Sequence, residues 1–143
     1  MSGITLPART ENLEALIGFI SRFAQKRGFS EKRTRQIELA AEEALVNVVK
    51  YAYPDQGNPD VEVRCETADG GRLHIHIIDS GVPFHSEDVM PPDLEAGISE
   101  RKVGGLGLLL MEKMADAVHR RREGGRNILT LTINEETGSD REK

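Results

Sequence analysis

Apolar residues recur at helical spacing in two stretches near the start of the chain. From Glu11 to Arg27 they are Leu13, Leu16, Ile17, Ile20, Phe23 and Ala24. That stripe predicts an amphipathic helix, with Thr10 placed to cap its start and Gly28 to stop it. A second, longer helix is predicted from a Ser30 cap to about Ala52, with the stripe Ile37, Ala41, Ala44, Leu45, Val48 and Tyr51. A short strand over residues 3–8, ending at Pro7, precedes both.

After the turn-forming run Pro54-Asp-Gln-Gly-Asn-Pro59 the period changes to two. Val61, Val63 and Cys65 alternate with Glu62, Arg64 and Glu66; Leu73, Ile75 and Ile77 alternate with His74 and His76. With Gly70-Gly71 between them, the two runs read as an antiparallel hairpin. Ser80 to Val103 contains Pro83, Pro91 and Pro92 and no period; a stretch that long inside a compact domain is usually functional. A third helix is predicted from Leu106 to Val118, then a Gly124-Gly125 turn and a closing strand from Ile128 to Ile133. Strands sit next to strands more often than they alternate with helices. This favours a two-layer α/β sandwich of the α+β type, with a mixed, mostly antiparallel sheet and helices on one face. A doubly wound parallel sheet is disfavoured.

The 143 residues suffice for one domain, expected over 1–134, followed by a polar tail over 135–143. With 38% hydrophobic and 30% charged residues the composition is that of a globular protein, and the lack of Trp leaves the core to Leu, Ile, Val, Ala and Met. A net charge of −5 argues against nucleic acid or an anionic membrane held by bulk charge. The run Arg120-Arg121-Arg122 is read as a solvated strand or loop face. No apolar run approaches the length of a membrane span; the longest candidate is Leu106 to Met111. The start of the chain lacks a signal-peptide pattern, so a cytoplasmic location is expected. A single cysteine, Cys65, excludes an internal disulfide and reads as a small apolar strand residue. His74, His76, His85 and His119 have no metal-ligand spacing with Cys65; His74 and His76 share what reads as a polar outer strand face.

Three short segments carry candidate chemistry. In Glu43-Ala-Leu-Val-Asn47 a carboxylate and an amide stand about one helical turn apart, with Lys50 three residues on. Their oxygens are hard ligands that suit Mg²⁺, and the carboxylate could instead serve as a base; a solvated helix face is the plain alternative. Glu42 is a rival to Glu43, but its neighbour one turn on is the apolar Val46. Asp79-Ser-Gly81 follows an apolar strand: its carboxylate could accept from a ring amine and Gly81 could let a flat base approach, or the three could form an ordinary turn. Gly104-Gly105-Leu106-Gly107 precedes the third helix, where converging backbone N–H groups attract anions, with Arg101 and Lys102 just before it; a hinge is the alternative. It is neither a Walker A loop nor a Rossmann fingerprint.

The order and separation of these segments resemble the nucleotide-binding boxes of the GHKL ATPase superfamily, over roughly residues 5 to 134. The boxes are Glu43-Ala-Leu-Val-Asn47-Val-Val-Lys-Tyr51-Ala-Tyr53, Asp79-Ser-Gly81-Val-Pro-Phe84 and Gly104-Gly-Leu-Gly107-Leu-Leu-Leu-Met111. Within the superfamily, the third box with the following Met-Ala-Asp is similar to bacterial anti-sigma-factor serine/threonine kinases. The resemblance implies the Bergerat ATP-binding fold and an ATP-dependent kinase that sequesters a sigma factor and phosphorylates a Ser or Thr of an antagonist protein. It implies Glu43 as general base, Asn47 as the Mg²⁺ ligand and Asp79 as the partner of the adenine amino group. It implies Gly105 and Gly107 at the phosphates, and the Ser80–Val103 segment as a lid with Arg101 or Lys102 as its cation. Where relatives often carry a Thr near adenine, this chain has Asn127, with Thr130 nearby. Tyr51 stands where the first box often has His. A homodimer is also implied. The competing expectation is a non-catalytic ATP-binding switch that regulates a partner by docking.

Overall fold

Strand β1 (Ser2–Pro7) opens the chain, followed by helices α1 (Leu13–Lys26) and α2 (Glu31–Asn47), strands β2 (Asp60–Ala68) and β3 (Arg72–Asp79), and strands β4 (Ala117–Glu123) and β5 (Arg126–Ile133). This architecture comes from a computed structural model, which describes residues 2–52, 59–82 and 111–134. The sheet order is β1-β2-β3-β5-β4, and among the described residues every pairing is antiparallel.

Alternation along the strands separates the two faces of the sheet. Val61, Val63, Cys65, Leu73, Ile75, Ile77, Leu129, Leu131 and Ile133 are buried together with Leu16, Ile20, Ile37, Ala41 and Leu45 of the helices. The helices thus cover one face; α1 packs against β1 and β2, and α2 against β5. The other face carries Glu62, Arg64 and Glu66 on β2, His74, His76 and Ile78 on β3, and Ile128, Thr130 and Thr132 on β5.

Ser30 caps α2 as expected: its Oγ accepts from the Arg33 backbone N–H at 3.0 Å. Thr10 does not cap α1. It lies inside a 3-10 turn, Thr10–Asn12, and the Asn12 side chain instead donates to the Pro7 carbonyl at 2.8 Å, tying the turn to the end of β1. The second helix keeps α winding only to Asn47 and continues as a π turn over Val48–Ala52.

The predicted third helix ends earlier than its pattern suggested. Its residues up to 110 lie outside the described residues; helical winding runs from Met111 to Met114, and Ala117 and Val118 already belong to β4. The cause is a set of tertiary bonds. The Asp116 backbone N–H donates to the Thr132 carbonyl at 2.8 Å, which starts the strand pairing. The Asp116 carboxylate accepts from Arg33 Nη2 and from the Asn134 backbone N–H, both at 2.7 Å, while Arg33 Nη1 donates to the Met114 carbonyl. The helix-ending carbonyl is therefore held by α2 and not by a further helical turn.

Candidate functional site

Asp79 ends β3 on the core face, in register with Asn127 at the start of β5. Both are buried, with 4% and 1% of their surface exposed. Asn127 Nδ2 donates to Asp79 Oδ1 at 2.9 Å and to the Val82 carbonyl at 2.7 Å, and the Gly81 N–H donates to the same Oδ1 at 2.8 Å. These two donors to Asp79 converge on Oδ1. Burial pushes the Asp79 carboxyl above its usual value, against the opposing bonds from Asn127 and Gly81 and the charge of Arg122. A buried carboxylate whose two donors share one oxygen suits a ligand that brings its own N–H donors to the second.

Arg122 completes this network. Its Nη1 donates to the Gly81 carbonyl at 2.8 Å and to Asn127 Oδ1 at 3.0 Å. An arginine only donates, so it fixes which end of the Asn127 amide faces Asp79. The expected solvated face at Arg120-Arg121-Arg122 is thus only partly right. Arg121 pairs with Glu123 on the surface, whereas Arg122 holds the Asp79 turn from the neighbouring strand pair. A sequence signal for this existed: the two-residue turn at Gly124-Gly125, both with positive φ, sets Arg122 opposite Asn127.

Thr130 is corrected by the same alternation. Three residues beyond Asn127, it points to the other face of the sheet, where its Oγ1 lies 2.8 Å from His76 Nδ1. It stands on the opposite face from Asp79 and Asn127 because β-strand side chains alternate faces.

Glu43 and Asn47 are half-buried on one flank of α2, beside the buried Ala40 and Ala44. The start of α2 is anchored by Arg33 to Asp116, at the Thr132 end of β5. Lys50 falls in the π turn and is exposed. Because π winding advances each residue by a smaller angle, Lys50 sits farther from the Asn47 flank than α winding predicts. The carboxylate and amide oxygens of this flank form a hard donor set, chemically suited to Mg²⁺. Arg101, Lys102, Gly104, Gly105, Leu106 and Gly107, and most of the expected lid, lie outside the described residues.

Comparison with known proteins places this geometry in context. A profile of the histidine kinase-like ATPase domain matches residues 6–133. The serine-protein kinase RsbW of Bacillus licheniformis is 31% identical over 140 residues, covering 94% of this chain and 86% of that protein. The serine-protein kinase RsbW of Listeria monocytogenes is 30% identical over 138 residues, covering 92% of this chain and 87% of its own length. Among solved structures, the RsbU and RsbW domains of a Mycobacterium tuberculosis protein superpose with a TM-score of 0.65 at 15% identity. That match covers 94% of this chain, which spans about a third (32%) of the solved one, and the likeness is one of fold.

Proposed function

The chain belongs to the histidine kinase-like ATPase family, and on that footing we propose that it is an ATP-dependent serine/threonine-protein kinase working as an anti-sigma regulatory factor. The observation that carries the reading is Asp79: a buried carboxylate at the end of β3 whose donors Gly81 and Asn127 share one oxygen, a setting in which the second would accept from an exocyclic amine. Adenine offers such a donor. Guanine presents a carbonyl at the corresponding ring position, which a carboxylate repels.

In this reading Asp79 and Gly81 receive the adenine, and Asn47 holds Mg²⁺ through its amide oxygen. Gly104, Gly105, Leu106 and Gly107 line the phosphates with Lys50, Arg101 and Lys102 as nearby cations. Bound Mg-ATP would supply the phosphoryl group to be transferred. Glu43 orients the hydroxyl of the incoming serine or threonine and takes its proton. What remains for the protein is positioning and charge neutralisation, which are the main contributions in phosphoryl transfer. The phosphorylated substrate is an antagonist protein and the sequestered partner a sigma factor, with the kinase itself a homodimer that makes no direct nucleic-acid contact. Support comes from relatives named serine-protein kinases at about 30% identity over most of the chain.

The test has two arms. Calorimetric titration of Mg-ATP is expected to show binding by the natural chain, weakened about 10- to 100-fold in Asp79→Asn. Transfer of labelled γ-phosphate to an antagonist protein is expected from the natural chain and not from Glu43→Ala. ATP binding with no transfer to any antagonist would replace the kinase by a non-catalytic nucleotide switch. No adenine nucleotide binding at millimolar concentration would remove both.

A further inference from the structure

On the face of the sheet turned away from the helices, Glu66 stands directly opposite His74 across the β2–β3 pair, and His76 follows two residues along β3. Glu66 Oε1 lies 2.9 Å from His76 Nε2 and 3.9 Å from His74 Nδ1, and one ligand atom from each of the three residues falls within 4.8 Å of the others. The two rings meet edge to face, their centroids 6.1 Å apart. All three side chains are half-buried, so they are held in place and still open to solvent.

We infer that Glu66, His74 and His76 form a binding site for Zn²⁺, separate from the nucleotide site and independent of the reading given above. Two imidazoles and one carboxylate are the donor set of open, three-ligand zinc sites, leaving the fourth position to water. Imidazole ligands select such borderline cations over Mg²⁺, which prefers oxygen alone. Thr130 orients the site: its Oγ1 engages His76 Nδ1 and leaves Nε2 directed at Glu66. An outer-shell hydrogen bond of this kind fixes ring orientation at metal-bound histidines. Arg64, the cation two residues from Glu66, is turned the other way and paired with Glu62. The ligands stand on neighbouring strands in the middle of the sheet order, so little rearrangement is required beyond closing the existing separations to metal-bond lengths.

The experiment uses the full chain without nucleotide, titrated with Zn²⁺ against a chromophoric chelator. The expected result is one Zn²⁺ per chain, abolished in His74→Ala and in His76→Ala and weakened about tenfold in Thr130→Val. His119→Ala and an excess of Mg²⁺ are expected to leave it unchanged. Equal zinc affinity in the natural chain and the His74→Ala/His76→Ala double variant, or no uptake at all, would overturn the site. Should the alanine variants fail to fold, NMR of the natural chain decides the matter. Zinc must shift the ring nitrogens of His74 and His76 and spare those of His119; any other pattern rejects the inference.

Discussion

At the scale of single residues, Asp79 sets stability against binding. Its buried carboxyl has a raised pKa, so in the pH range just above the ordinary aspartate value the folded chain holds a proton that the unfolded chain has lost. Stability therefore falls as pH rises through that window and stays lower once Asp79 is ionised. Asp79→Asn keeps an acceptor for Gly81 and Asn127 but turns the second oxygen into a donor. Melting curves at neutral pH are expected to show Asp79→Asn at least as stable as the natural chain, with a flatter dependence on pH. The same variant is expected to lose about 10- to 100-fold in ATP affinity, the worth of one hydrogen bond to a charged group. Arg122 acts through Asn127. Arg122→Ala is expected to weaken ATP binding while Arg121→Ala, whose side chain pairs with Glu123 at the surface, leaves it unchanged; a titration of the two side by side checks this.

At the scale of elements, Ser30 and Arg33 settle where α2 begins and what it is tied to. Ser30→Ala removes one cap bond and is expected to cost about 1 kcal/mol in denaturant unfolding. Arg33 serves Gln36, the Met114 carbonyl and Asp116 from two nitrogens of one planar fork. A lysine has one nitrogen and cannot span three acceptors, so Arg33→Lys is expected to destabilise nearly as much as Arg33→Ala in the same assay. The elements themselves were legible in local pattern. Alternation marked β2 and β3, paired glycines marked both hairpin turns, and the Ser30 cap is where the sequence put it. Readings failed where a bond outside the periodic pattern decides. Thr10 gave way to the Asn12 bond with Pro7, and the helix through Met114 stops because Arg33 and Thr132 take over its last groups. The face that Thr130 occupies was legible, since its parity along β5 opposes that of Asn127. The grouping of Glu66 with His74 and His76 required the register of the hairpin, which spacing within one strand does not reveal.

At the scale of the molecule, the sheet order brings the end of β3 beside the start of β5, and that is how two buried polar residues distant in sequence share one network. Asp79 was visible as a candidate from the apolar strand that it ends; the partners that shape its acceptor, Asn127 and Arg122, depend on the whole topology. On the core face of β2, Cys65 is wholly buried, and burial pushes its thiol up to about 12. A thiol so placed is neither accessible nor ionised, and no second cysteine competes with it. The chain thereby carries an internal clock for its own opening. A thiol-labelling reagent should react only when the sheet separates, so the labelling rate reports how often the core opens. ATP held by the folded state alone should slow that clock in step with its affinity. A nucleotide that leaves the rate unchanged at saturation would not be bound to this fold.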